Sequence, residues 1–216
     1  MTETDPEALA DVAYGIFEHL LNRNLQAQGR YLYALVEGGL DFRGELDTLF
    51  SDFTKEYPQL ADAMLKRFSS IDKVYEMLIA GEGVAPLITT QTYWIVQDAP
   101  GISPEATEDE KAGKWLIFLE PGQVDAAWKR VRDASVAGEL GISSKVSTGK
   151  PNPDSRDYRK VIYIYTRDWA DEPDVMRVRE RLRELGFTDR IGYKRNIETF
   201  AGEYAKKGKR VTFYSA

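Results

Sequence analysis

The chain has no cysteine and one histidine, His19. The first absence excludes disulfides, thiolate metal sites and a cysteine nucleophile, so the fold must be held by packing. No Gly-rich phosphate loop, metal-ligand cluster or Ser/His/Asp order occurs either, and neither a cofactor nor a metal is expected. No stretch approaches the roughly 18 consecutive apolar residues that span a bilayer. The first residues are acidic rather than basic-then-apolar, so the expectation is a soluble, cytoplasmic chain without a membrane partner. What is present suffices for one large or two small domains: 216 residues, 43% of them hydrophobic.

Positive charge is scarce overall, with a formal net charge of −6, but it is unevenly placed. Residues 1–87 carry 7 basic and 15 acidic side chains, and residues 88–140 carry 5 and 9. Residues 141–216 reverse the balance with 17 and 11. The C-terminal part is thereby tilted toward an anionic ligand such as a phosphate, although helix-surface arginines account for such a surplus equally well.

Apolar spacing divides the chain in two. Residues 1–87 repeat at helical period: Asp5-Pro6-Glu7 is a start signal, followed by Leu9, Val12, Ile16 and Leu20 on one face. Leu46, Leu49, Phe50 and Phe53 mark a short helix. After Pro58, a longer one runs through Leu60, Met64, Phe68, Ile71, Tyr75 and Leu78. From residue 88 the period becomes 2. Strands are expected over 88–97, 114–120, 142–148, 160–167, 190–194 and 209–215, with helices from Val124 to Ala134 and over 171–186. The order strand, strand, helix, twice, then strand, strand predicts antiparallel hairpins with helices on one face. The expected fold is therefore α+β: a curved antiparallel sheet over 88–216, preceded by an all-helical region over 1–87.

Four segments, GKWLIF, GELGISSKVST, DVMRVRERLRELG and IGYKRNIETFAG, resemble the hallmarks of the family of basophilic-leukemia-expressed proteins and their prokaryotic relatives. The order of these segments over about the last 130 residues also resembles the cap-binding translation initiation factors. The resemblance implies the cap-binding-like fold. It does not extend to the two base-sandwiching loop tryptophans. Residues 102–112 contain no aromatic residue, and Trp94 and Trp115 fall in strands, Trp128 in a helix and Trp169 in a turn; an mRNA cap is not expected as ligand. Prokaryotic members of the first family are labelled phosphothreonine lyase domain proteins. In that chemistry a lysine takes the α-proton, a histidine protonates the leaving phosphate and cations hold it. By resemblance Lys145 stands at the base position and Lys114 at the phosphate-binding position, while Leu116 occupies the place of the histidine.

Strand alternation puts Ser143, Lys145 and Ser147 on one face. The expected pocket has Lys145, Ser147, Tyr163 and Tyr165 as floor, Lys114 and Tyr193 as further ligand contacts, and Arg177 and Lys194 at its edge. A solvated sheet face explains the same pattern. Arg177, Arg179, Arg181 and Arg183 skip by two around a helix and read as a solvated face. The basic run 206–210 reads as solubility. The functions expected are, in order, recognition of a phosphorylated protein or nucleotide-like anion, phosphothreonine elimination with Lys145 as base, and partner binding through the N-terminal helices.

Overall fold

The computed structural model describes residues 5–102, 109–153, 158–200 and 212–216, with only the backbone of residues 199 and 200. The basic run 206–210 lies outside them. The chain forms two compact units, residues 1–93 with 148–152, and residues 94–147 with 153–216. Among the described residues no helix is long and apolar enough to cross a membrane.

The first unit is built from five helices: α1 (Pro6–Ala27), α2 (Leu32–Glu37), α3 (Arg43–Glu56), α4 (Pro58–Phe68) and α5 (Ile71–Ile79). Asp5 caps α1 by accepting the Glu7 N–H at 3.0 Å, with Pro6 in the first turn. The single helix expected after Pro58 is two. Ser69 takes a positive φ of 70° and Ser70 caps α5 through the Lys73 N–H. Two serines thus broke a run whose apolar spacing read as continuous. Phe17, Leu21, Leu25, Phe42, Leu46, Phe53 and Met64 fill the core. Within this unit Lys150 donates to Asp11 at 2.7 Å and to the Gln91 carbonyl at 2.8 Å. The Glu82 carboxylate accepts the Thr90 and Gln91 N–H groups, ordering a stretch where the sequence suggested the start of a strand.

The second unit has the expected architecture: α+β, an antiparallel sheet with its two long helices on one face. The strands are β1 (Trp94–Asp98), β2 (Gly113–Leu119), β3 (Ser143–Ser147), β4 (Lys160–Thr166), β5 (Gly192–Arg195) and β6 (Tyr214–Ser215). Their order is β1-β3-β4-β2-β5-β6. The first hairpin expected does not form. β1 pairs with β3 and β2 with β4, so the long connection between β1 and β2 crosses two strand positions instead of turning tightly. α6 (Pro121–Val136) opens with a capping box between Glu120 and Gln123, and α7 (Glu172–Glu184) is capped by Asp171. A short α8 (Asn196–Phe200) follows β5.

Period-2 alternation assigns the two sheet faces. Ile95, Trp115, Ile117, Val146, Ile162, Ile164 and Tyr193 meet Val124, Trp128 and Val131 of α6 and Val175, Val178 and Leu182 of α7 in one core. Trp115 also donates its indole N–H to the Val175 carbonyl at 3.1 Å. Gly113 is required there: a Cβ would stand 2.2 Å from the Tyr193 hydroxyl.

Candidate functional site

The residues between those core positions form the opposite face. Cross-strand register lines up Val96, Lys145, Tyr163, Leu116 and Gly192 in one row. A neighbouring row runs through Asp98, Ser143, Tyr165, Lys114 and Lys194. The two rows put two lysines diagonally across β4, with the two tyrosines between them.

Both lysines converge on those rings. Lys145 Nζ lies 4.4 Å from the Trp94 ring centroid, 5.5 Å from that of Tyr163 and 5.6 Å from that of Tyr165. Lys114 Nζ lies 5.4 and 5.3 Å from the same two tyrosine centroids, close enough for cation–π attraction. Trp94 stacks on Tyr163 at 5.3 Å, and Tyr163 meets Tyr165 edge-on at 6.3 Å. Lys114 is 7% exposed and donates to Asn196 Oδ1 at 3.0 Å. Asn196, the first residue of α8, is itself anchored by its N–H to the Ala112 carbonyl. Among the described residues Lys145 makes no hydrogen bond and no ion pair.

Burial and like charge then act in the same direction. Desolvation, with the Lys145 and Lys194 ammonium groups beside it, pushes the Lys114 amine down to about 8. Desolvation lowers Lys145 as well. The Tyr165 phenol moves up, chiefly through burial, and stays protonated.

A cavity of about 1060 Å³ opens from this floor along the edge where β2 and β5 diverge. Pairing of β2 with β4 runs to Leu119, whereas pairing with β5 stops at Leu116–Gly192. The described lining has six basic side chains, Lys114, Arg130, Lys145, Arg159, Arg190 and Lys194, against one acid, Asp189. Arg159 lies over Phe118 at 5.1 Å.

The residues expected for the site divide accordingly. Lys114, Lys145, Tyr163 and Tyr165 come together, with Lys194 across the strand pair from Lys114. Ser147 shares the face, but its hydroxyl accepts the Val161 N–H at 2.9 Å. Tyr193 points to the core, 0% exposed, with its hydroxyl 2.6 Å from Thr166 Oγ1. Arg177 lies on α7, ion-paired to Asp174 and donating to the Glu139 and Leu140 carbonyls. Tyr193 borders the cavity while its ring is buried in the core, and Arg177 is absent from the described lining. His19 is exposed on α1 in the other unit. Trp94, Arg159, Arg190 and Asn196 were not singled out by sequence. Period 2 puts Trp94 on the Val96 face of β1, but neither the β1–β3 pairing that brings that face beside Lys145 nor the register that brings Asn196 to Lys114 has a local signature.

Residues 105–200 match the family model for basophilic leukemia-expressed protein Bles03, the family to which the sequence motifs pointed. Solved structures with a similar outline include C. elegans eIF4E-3 in complex with the 4E-binding protein Mextli and a cap analog, at 18% identity and a TM-score of 0.39. That likeness covers 50% of this chain and 65% of the nematode protein's length. A schistosome eIF4E complexed with m7GpppA and 4E-BP is similar at 14% identity and a TM-score of 0.44, over 58% of this chain and 72% of that one. An Ascaris suum eIF4E-3 with an m2,2,7G cap gives 17% and 0.40, over 56% and 68%.

Proposed function

We propose that the second unit is a phosphate-recognising domain whose ligand, a phosphorylated molecule, lies on the open sheet face with its phosphate between Lys145 and Lys114. The observation that carries this reading is the convergence of two partly desolvated lysines on one aromatic floor, in a cavity whose described lining has six cations and one carboxylate. Like charges at close quarters in a chain of net charge −6 repel each other, and a doubly charged anion removes that repulsion while accepting hydrogen bonds from both amines. Tyr163, Tyr165 and Trp94 supply an apolar, polarisable surface for the remainder of the ligand. Calorimetric titration with pyrophosphate, a nucleoside triphosphate and a phosphothreonine peptide sorts the ligand class. At least one should bind, the unphosphorylated counterpart should not, and Lys145→Met should abolish the difference. Equal behaviour of phosphorylated and unphosphorylated compounds would contradict the proposal.

One observation favours a second reading, elimination of phosphate from phosphothreonine: desolvation lowers Lys145 toward the neutral form that a proton-abstracting base needs. Leu116 stands between Tyr163 and Gly192 in the row, where the resemblance would place the acid. Mass spectrometry of the incubated phosphothreonine peptide decides the matter. Loss of phosphoric acid dependent on Lys145 supports elimination, and an unchanged peptide that still binds leaves recognition alone.

A further inference from the structure

Lys114 differs from the other lysine of the pair in three respects. It is nine-tenths buried, its Nζ is oriented by a hydrogen bond to an anchored asparagine, and it has cationic neighbours on two sides, Lys145 across β4 and Lys194 across the β2–β5 pair. It nevertheless lines the cavity, so a small molecule on the aromatic floor can reach it. A lysine desolvated beside other cations is an activated nucleophile, because the neutral amine with its available lone pair is the form the surroundings favour. With the amine at about 8, roughly a tenth of it is neutral near pH 7, a few hundredfold more than for an ordinary lysine.

We propose that Lys114 is a carbonyl-reactive amine and that the cavity takes a phosphorylated aldehyde or ketone, which Lys114 captures as an imine. This rests on the phosphate-recognition reading and refines it for a carbonyl ligand: the phosphate moves toward Lys145 and the rest of the cationic lining, and the carbonyl takes the place beside Lys114. The nitrogen lone pair attacks the carbonyl carbon, a C–N bond forms and the C=O π pair moves to oxygen. That oxygen leaves as water, its two hydrogens coming from the amine, so no oxidant, reductant or further reactant is needed. The imine nitrogen then takes up one proton from solvent, and the resulting N–H donates to the Asn196 Oδ1 that accepted from the amine, so the contact survives the reaction. The tyrosine rings on the other side flank a cationic imine as they flank the ammonium.

The test uses the full chain and two probes that differ at one group: pyridoxal 5′-phosphate, which carries phosphate and aldehyde, and pyridoxine 5′-phosphate, which carries phosphate and an alcohol. With equimolar pyridoxal phosphate, the imine absorbance should appear, and after borohydride reduction peptide mapping should place most of the adduct on Lys114. Excess pyrophosphate should suppress it. Lys114→Arg keeps a charge but cannot form the imine; it should lose the adduct even at pyridoxal phosphate concentrations that saturate the variant, with saturation read separately from its pyridoxine phosphate affinity. An adduct spread over surface lysines and unaffected by Lys114→Arg, with pyridoxine phosphate still bound, overturns the imine and leaves phosphate recognition standing. Failure of both phosphorylated probes to bind overturns both readings.

Discussion

At the scale of single residues, the site is a matter of which charges are left for a ligand. Among the described residues Lys145 is held only by rings, and its removal should cost pyrophosphate affinity by about tenfold or more, the value of a charge-assisted hydrogen bond in a desolvated place. A second residue carries a different titration. Glu18 is buried on α1, and burial, followed by the neighbouring Glu82 carboxylate, pushes it from 4.5 up to about 8. Below 4.5 it is protonated in both folded and unfolded chains. Between there and about 8 the unfolded chain releases the proton and the folded chain keeps it, so stability falls as pH rises and the loss is complete above about 8. Urea denaturation of Glu18→Gln should therefore show a variant that is more stable than the parent at about pH 9, with the advantage shrinking toward about pH 5. A variant equally displaced at both pH values would mean that the carboxyl does not titrate in this way.

At the scale of elements, alternation and helical period carried most of the reading. That Tyr163 and Tyr165 share a face of β4, and Ser143, Lys145 and Ser147 a face of β3, follows from period 2, and the register Lys145–Tyr163 joins the two faces. The ring of Tyr193, expected at the ligand, is turned to the core on the same principle, although the residue borders the cavity. β5 is four residues long, and its facing is set by pairing to β2, where Tyr193 stands opposite the core tryptophan Trp115, and not by its own composition. The arginine run on α7 likewise hides a division that spacing cannot resolve. Arg181 and Arg183 are half-buried and ion-paired, whereas Arg179 is 0% exposed and donates to the carbonyls of Phe187 and Asp189, both at 2.7 Å, and of Ala216 at 3.1 Å. Arg179→Met removes the donor to the Phe187 and Asp189 carbonyls, while the Ala216 oxygen keeps the Ile191 N–H, and should cost about 3 kcal/mol or more in urea denaturation. It should also weaken anion binding, because Phe187 and Asp189 line the cavity. Arg177→Ala, on the more exposed side of the helix, should cost about 1 kcal/mol or less and leave anion binding unchanged.

At the scale of the whole molecule, the division into two units is interleaved in sequence, since residues 148–152 belong with 1–93 although β3 directly precedes them. The ties are specific: Thr148 and Gly149 donate backbone N–H groups to the Tyr93 and Pro86 carbonyls, and Lys150 reaches Asp11. A change of hydrophobic period marks where a sheet begins, but it cannot report a short segment that returns to the earlier unit. Charge, by contrast, was legible at this scale. The basic surplus of residues 141–216 contributes Lys145, Arg159, Arg190 and Lys194 to the cavity, within a chain that is acidic overall. Anion binding should accordingly be salt-sensitive. Raising ionic strength from about 0.1 M to about 1 M shortens the screening length from roughly 10 Å to 3 Å and should weaken pyrophosphate binding markedly. Salt-independent binding would point to an apolar ligand contact instead.

The most direct measurement is a titration of the full chain with pyrophosphate, read by the fluorescence of Trp94, whose ring lies 4.4 Å from the Lys145 amine. Trp94→Phe identifies the signal, and Lys145→Met tests the site. The account predicts a saturable change that vanishes with Trp94→Phe and shifts to much higher pyrophosphate concentration with Lys145→Met. A folded protein whose Trp94 emission does not respond to pyrophosphate, or responds identically when Lys145 is replaced, would contradict it.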